Sequence, residues 1–259
     1  MAINDYFKMQ RVINGLDLSR PVYKYIPLKY VITMLKTQKL YVGKVKKWED
    51  TYENFLLKQD FVYDNRHLSA DNLMDQIYGQ CWTLLSESDA MWRIYSNPSK
   101  MNDIAIRIKT TAQRLFDAVY TSDDCMATTS IGSVEYVYKK EILQWIKGLH
   151  MHTAQDIGNN IVPSLYKKRK PFSHESEVRI IIMHDQDMGE GLSYDITPAT
   201  MFDDFVIDPR LDTSTVNKIA KKLINLGINV NKIKQSQLYT FTPLLIVTTQ
   251  SFFVGAAKF

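Results

Sequence analysis

The chain has 259 residues, of which 45% are hydrophobic and 23% are charged, the composition of an ordinary globular protein. This composition excludes a disordered, collagenous or coiled-coil protein, and a chain of this length can bury a core without disulfide support. The formal net charge of +4 permits an anionic partner without requiring one. Cys81 and Cys125 are too few for a disulfide scaffold and fit a reducing compartment.

The start of the chain lacks the basic and apolar regions of a signal peptide. The longest apolar stretch, residues 244–247, is too short to span a bilayer. We therefore expect a cytoplasmic protein with no membrane contact. No repeat or linker interrupts the sequence, so we expect a single domain over residues 1–259.

Apolar spacing and turn residues predict strands and helices in irregular alternation. The predicted elements of the first half are a strand over 22–26, a helix over 28–35, a strand over 40–42, a helix from Ser69 through Ile77, a strand over 80–85 and a helix capped at Ser86 and running through Tyr95. Those of the second half are a strand over 103–109, a helix through 115–119, a strand over 134–138, a helix over 141–149, strands over 177–183 and 205–207, and a helix through 216–223 with Gly227 after its end. This mixed order favours an α+β fold over a doubly wound sheet.

Several common catalytic motifs are absent from the sequence. It contains no P-loop, no dinucleotide-binding glycine motif, no paired Cys-x-x-Cys, no His-Glu-x-x-His and no Gly-x-Ser-x-Gly. His150 and His152 lie two residues apart without an obvious third ligand, which favours a surface or packing role over metal binding.

The most informative cluster is Glu175, Glu177 and Arg179, spaced by two at the start of a predicted strand. In an extended chain the three side chains point to the same face. The carboxylates would raise each other's pKa and the arginine would lower both. Such a set suits a cation-like transition state, although a solvated strand end with an ordinary ion pair has the same pattern.

Two further segments have alternative interpretations. Tyr23-Lys24-Tyr25 places a cation between two aromatic rings and can either hold a nucleotide or pack its rings in the core. The basic run over residues 167–170 is typical of a solvated loop, or else steers a phosphate-bearing substrate.

The next strand and helix contain tryptophans. We interpret Trp82 and Trp92 as core residues. Cys81 has no nearby base, so we interpret it as buried rather than nucleophilic.

These residues resemble a bacterial family of unknown function, the DUF2971 type. The resemblance rests on Tyr23-Lys24-Tyr25 with the following helix, on the segment from Cys81 to Tyr95, and above all on Lys168-Arg169 followed by Phe172, His174, Glu175, Glu177 and Arg179. The chain departs from that family at Trp48-Glu49-Asp50, where Thr51 stands in place of an expected proline.

A second resemblance concerns activity. The opening strand and helix, and Glu175-x-Glu177, are similar to ADP-ribosyltransferases that modify nucleic acids. This resemblance implies an α+β domain with a split β core and surrounding helices, NAD as a substrate, and transfer of ADP-ribose to RNA or DNA by a toxin or an anti-phage defence protein. It further implies a restraining antitoxin or chaperone.

The resemblance also implies roles for individual residues. Glu177 would contact the nicotinamide ribose and Glu175 would orient or deprotonate the acceptor. Residues proposed to bind the cofactor are Tyr23, Lys24, Tyr25, Arg179 and Tyr136, with Thr128 to Ser130 as an alternative to Tyr136. This family usually has Arg or His where this chain has Lys24.

Two other functions fit the same residues. One is a metal-dependent nuclease that uses Glu175, Glu177 and His174. The other is a module that binds nucleic acid or protein without catalysis.

Overall fold

A computed structural model describes residues 10–50, 52–59, 61–63, 66–68, 71–120, 127–149 and 154–243. Cys125, His150, His152 and residues 244–247 lie outside these ranges. The expectation of one domain over the whole chain therefore stays a prediction.

The described residues alternate irregularly between strands and helices. The strands are β1 (Val12–Ile13), β2 (Pro21–Pro27), β3 (Lys39–Lys44), β4 (Phe61–Tyr63), β5 (Arg66–Leu68), β6 (Ile77–Thr83), β7 (Ala105–Thr111), β8 (Ala127–Ser133), β9 (Glu135–Val137), β10 (Lys167–Arg169), β11 (Glu177–His184), β12 (Gly191–Asp195), β13 (Asp204–Ile207) and β14 (Ile233–Gln235). The helices are α1 (Leu28–Thr37), α2 (Asp71–Asp75), α3 (Asp89–Tyr95), α4 (Ala112–Val119), α5 (Lys139–Lys147), α6 (Ala154–Ser164), α7 (Pro198–Met201) and α8 (Thr213–Asn225).

One ten-stranded sheet organises these elements, in the order β1-β8-β11-β6-β2-β7-β13-β14, with β3 pairing to β6 and β12 to β3. The β1–β8 and β13–β14 pairs are parallel and the other pairs in this sheet are antiparallel. Two small ribbons, β9–β10 and β4–β5, lie apart from it. The predicted α+β class is confirmed.

The sheet forks between β2 and β6. The two strands pair at a single position, Tyr23 opposite Thr83, whereas β2 pairs with β7 along its whole length. On the other side of the fork, β6 pairs with β3 at Gly79 opposite Gly43. Lys24 extends its side chain across the gap, and its ammonium donates a hydrogen bond to the carbonyl oxygen of Cys81 at 2.5 Å. The predicted split in the β core is present at this fork.

The core lies on both faces of the sheet. Consecutive isoleucines of β11 alternate between two apolar clusters: Ile180 and Ile182 join one, and Ile181 joins the other. The first cluster includes Leu115 of α4, and the second includes Tyr166 before β10. β11 is therefore packed on both faces along its isoleucines, and Glu177 lies at its start.

Several element predictions are confirmed. The strand predicted over 22–26 is β2, the helix over 28–35 is α1, the strand over 177–183 is β11 and the helix through 216–223 is α8. Gly227 follows α8 with a φ of 90°, a left-handed conformation that favours glycine.

The predicted boundaries between residues 69 and 95 are wrong. α2 ends at Asp75, and Ile77 begins β6 instead of continuing the helix, so the strand runs over Ile77–Thr83 and not 80–85. The cap of α3 is Ser88, whose hydroxyl accepts the Met91 amide at 3.3 Å, and not Ser86. A short apolar run has helical and extended spacing at once, so the sequence pattern alone did not separate α2 from β6.

None of the helices in the described ranges combines the length and apolarity needed to cross a membrane.

Candidate functional site

A cavity of about 760 Å³ opens at the fork of the sheet. Gln80 and Cys81 of β6 and Lys24 of β2 line one part of it, and Glu175 and Glu177 line another. The exposed ring of His174 also reaches the cavity. Its volume falls within the range of roughly 300–1,000 Å³ that is usual for small-molecule sites.

The buried ammonium of Lys168 lies among three carboxylates beside this cavity. Its Nζ is 2.5 Å from Glu175 Oε2, 2.9 Å from Glu177 Oε1 and 2.9 Å from Glu53 Oε1. All four side chains are nearly excluded from solvent. Buried charges of this kind are stable only when they are paired, so Lys168 fixes the relative positions of the three glutamates.

Arg179 binds two of these three glutamates. Its Nε donates to Glu177 Oε2 at 2.7 Å and its Nη2 donates to Glu53 Oε1 at 2.6 Å, while Nη1 donates to the carbonyl oxygen of Leu165 at 2.6 Å. The guanidinium carbon lies 4.5 Å from the ring centroid of Trp48, a cation–π distance. Arg179 is fully buried and does not line the cavity, so its contacts support Glu177 and Glu53. Its role in cofactor binding stays a prediction.

The two glutamates meet by a different route from the one that the sequence predicts. Glu177 and Arg179 alternate along β11 as expected, but Glu175 ends a 3₁₀ turn over Lys170–Glu175 and is not extended. Ser176 between the glutamates has a φ of 44°, in the left-handed region. This kink brings Glu175 beside Glu177 on Lys168.

The surroundings shift the pKa values of the two carboxyls in opposite directions. Burial, together with the hydrogen bond and the charge of Glu177, raises the pKa of Glu175 to about 7. Burial also acts to raise the pKa of Glu177, but the charge of Arg179, the hydrogen bond from Glu175 and the charge of Lys168 outweigh it and lower that pKa to about 2. Near neutral pH, Glu175 can therefore take up or release a proton while Glu177 stays ionised.

The tyrosines of β2 lie beside the glutamates but away from the main cavity. Tyr23 and Tyr25 are nearly buried, and they line a separate cavity of about 60 Å³ that also contacts Glu175 and Glu177. The ring of Tyr25 packs edge-on against Trp92, with 4.7 Å between centroids. Lys24 lines both cavities, and burial lowers its pKa.

Tyr136 supports the start of β11. Its hydroxyl accepts a hydrogen bond from the backbone amide of Glu177 at 2.8 Å, and burial raises the pKa of the phenol. Tyr136 is absent from the lining of both cavities, so the structure gives it a positioning contact with Glu177. Ser130, from the alternative segment, is buried on β8 and contacts Tyr166 at 3.0 Å.

The tryptophans and the cysteine of the β6–α3 segment also have defined places. Trp82 and Trp92 are core residues, as predicted. Cys81 lines the cavity and is half-buried, so the predicted burial holds in part. Burial raises the pKa of its thiol to about 12, so the thiol stays protonated near neutral pH.

Two parts of the site escaped the sequence prediction. The basic run does not form a solvated loop: Lys168 is buried, Lys167 pairs with Glu135 at 2.5 Å, and Arg169 pairs with Asp50 at 2.7 Å. Glu53, more than one hundred residues from the other glutamates in sequence, was not identified at all. The one signal for it in the sequence is the position of Glu53-Asn54 between two aromatic residues, Tyr52 and Phe55.

The donor set does not support a divalent metal. Among the described residues, no group of three or more His, Cys, Asp or Glu side chains is arranged to hold a metal ion. The position where Glu53, Glu175 and Glu177 converge is filled by the Lys168 ammonium. The metal-dependent nuclease hypothesis therefore gains no support from this part of the chain.

No protein-family model matches the chain, and no curated protein matches it significantly. Membership of the bacterial family of unknown function thus stays a prediction. Among solved structures, the chain is similar to DarT of Thermus sp. 2.9 in complex with NAD+, with 8% identity, a TM-score of 0.39, and coverage of 86% of this chain and 98% of that one.

Two further DarT structures from the same organism match comparably. The complex with ADP-ribosylated ssDNA has 7% identity, a TM-score of 0.38, and coverage of 85% and 95% of the two chains. The complex with carba-NAD+ has 9% identity, a TM-score of 0.37, and coverage of 85% and 96%. Likeness at this level assigns neither an activity nor a ligand to this chain.

Proposed function

We propose that this protein cleaves NAD and transfers its ADP-ribose group to a nucleic acid. The observation that carries the proposal is the pair of buried glutamates beside the cavity, one ionised and the other able to exchange a proton near neutral pH. This division suits a reaction in which one group stabilises positive charge and the other moves a proton. The resemblance of Glu175-x-Glu177 to the paired glutamates of ADP-ribosyltransferases supports the same assignment.

The reaction breaks the bond between the ribose C1′ and the nicotinamide nitrogen. The bonding electron pair leaves with nicotinamide, and positive charge develops on the ribose. Glu177, held by Lys168 and Arg179, faces that charge. A carboxylate oxygen can accept two hydrogen bonds, so Glu177 has capacity for a ribose hydroxyl. An oxygen or nitrogen of the acceptor then bonds to C1′, and its proton passes to the ionised form of Glu175.

The test is incubation of the purified chain with NAD labelled in its adenylate phosphate and with RNA, DNA or protein. We expect release of nicotinamide and transfer of label to a nucleic acid. Glu177→Gln keeps the shape of the side chain but removes the charge, and we expect activity to fall at least about a hundredfold. Glu135→Gln is the matched control, because the exposed Glu135 lies outside both cavities.

Other outcomes decide between the hypotheses. A folded protein that neither releases nicotinamide nor transfers label refutes the proposal. Strand cleavage without NAD that a chelator abolishes identifies a nuclease. Salt-sensitive nucleic-acid binding without turnover, unchanged by Glu177→Gln, identifies a binding module. Copurification of a second protein from the source cell tests for an antitoxin.

A further inference from the structure

The cavity beside the glutamate pair, called the first cavity, adjoins a second large cavity of about 720 Å³. The two cavities share Lys24, Tyr41, Lys47 and Gln80 in their linings. The remaining walls of the second cavity come mainly from α1 and β3, and it contacts neither Glu175 nor Glu177. The first cavity alone is large enough for a small-molecule ligand, so the second leaves room for another molecule to approach the first.

All of the described charged side chains that line this second cavity are basic. Lys24, Lys39 and Lys47 line it, and no carboxylate among the described residues does. Lys39 pairs with Asp195 at 2.6 Å and Lys47 pairs with Glu190, and both carboxylates are exposed. Exposed ion pairs of this kind are weak, so a phosphate group can replace either carboxylate.

Two exposed aromatic rings occupy the same cavity. Tyr30 on α1 is 58% exposed and Tyr41 on β3 is 52% exposed. The hydroxyl of Tyr41 donates to the carbonyl oxygen of Glu190 at 2.7 Å. Its ring lies against Gly191, where a Cβ atom would come within 2.4 Å of the ring. Tyr41 is thus held in place by β12 while much of its surface faces solvent, as a preformed stacking surface requires.

We propose that this second cavity, named the acceptor groove, binds single-stranded nucleic acid and directs one of its nucleotides towards the glutamate pair. The inference rests on the proposed function for the identity of the reaction. Lysines next to exposed aromatic rings match the chemistry of a single strand, in which phosphates alternate with bases whose faces are free to stack. A duplex hides those faces within its own stack, so the groove selects single strands.

Binding is measured without NAD, by fluorescence anisotropy of a labelled 12-nucleotide DNA, the same sequence as RNA, and the corresponding duplex. We expect both single strands to bind more tightly than the duplex. Tyr30→Leu removes a stacking ring and should weaken single-strand binding roughly five- to one-hundred-and-fifty-fold, whereas Tyr30→Phe retains it. The control is Phe241→Leu, since Phe241 is 85% exposed and lines neither cavity.

The salt dependence tests the lysines separately. Three phosphate contacts predict a slope of log affinity against log salt near −2, at roughly 0.7 per contact for a single strand. Lys39→Gln should reduce the magnitude of that slope by about 0.7. Lys222→Gln on α8 is the control, because this exposed lysine lines neither cavity.

Three results overturn the inference: equal affinity for duplex and single strand, full binding by Tyr30→Leu, or complete displacement of the oligonucleotide by ADP-ribose. Nicotinamide release from NAD reports on the proposed function independently. If wild-type protein releases nicotinamide and transfers label to a nucleic acid but fails these binding tests, the acceptor groove is wrong and the proposed function stands. If binding follows the expected pattern and NAD is never cleaved, the proposed function fails and the binding site remains.

Discussion

Replacing Lys168 with methionine tests whether one buried ammonium holds the glutamates together. The change keeps an unbranched apolar side chain but leaves Glu53, Glu175 and Glu177 without the cation that they surround at 2.5–2.9 Å. Arg179 still pairs with two of them, whereas Glu175 loses its cation. Removing one partner of a buried ion pair typically costs about 3–5 kcal/mol of folding free energy.

The loss should depend on pH, with a sign set by Glu175. Its pKa in the folded protein is about 7, above the ordinary value of 4.5, and Lys168 acts to lower it. Without Lys168 the folded pKa rises further, so the folded state binds more protons than the unfolded state between that ordinary value and the new one. The contribution of Glu175 to the free energy of unfolding is fully present below about pH 4.5 and is lost as the pH rises through the pKa of Glu175 in the folded protein. Lys168→Met should therefore lose more stability at pH 8 than at pH 5.

The assay is urea unfolding followed by tryptophan fluorescence at both pH values. Lys167→Met is the control, because Lys167 is the preceding residue of β10 and pairs with the exposed Glu135. The partner of Lys167 is solvent-exposed, so removing this pair leaves no buried charge and the control should lose less stability than Lys168→Met at either pH. Equal losses for Lys167→Met and Lys168→Met, or a loss that is larger at pH 5, would refute the reasoning.

Three other predictions address the supports of the site. Tyr136→Phe removes the acceptor of the Glu177 amide and should cost about 1 kcal/mol in urea unfolding while lowering NAD cleavage; unchanged cleavage contradicts the positioning role. Gly79→Ala places a Cβ 2.6 Å from the Trp48 ring and should destabilise the fold by about 1–3 kcal/mol. An unchanged melting temperature would contradict this prediction. Cys81, with its raised pKa, should be alkylated by iodoacetamide at pH 8 far more slowly in folded than in urea-unfolded protein, as peptide mass spectrometry can check; equal rates are inconsistent with burial of the thiol.

The sequence predicts this fold best where local patterns decide the structure. β11 contains the apolar run Ile180–Met183, and α1 has Leu28, Val31 and Leu35 on one buried face, so both were identified with nearly correct bounds. Periodicity also placed Glu177 and Arg179 together. These features depend on neighbours within a few residues, which the sequence shows directly.

Long-range convergence explains what the sequence did not predict. Lys168 belongs to a run of cations that ordinarily lies in solvent, and it is buried because glutamates from two distant segments meet around it. We predicted that Glu175 and Glu177 share one face of an extended chain, whereas the left-handed conformation of Ser176 brings the two side chains together. Neither the converging segments nor the conformation of a single serine has a signature in local spacing.

The single backbone pairing between Tyr23 and Thr83 has a mechanical consequence. Beyond this position β2 stays paired with β7, and β6 stays paired with β3. The hydrogen bond from Lys24 to the carbonyl oxygen of Cys81 crosses the gap between β2 and β6. Parting the two strands beyond Tyr23 breaks that hydrogen bond, worth about 1.5–3 kcal/mol for a charged donor, and no backbone pairing of β2 with β7 or of β6 with β3. A side chain therefore helps to hold the two strands together beyond Tyr23, so a bound phosphate that draws Lys24 away would loosen the junction.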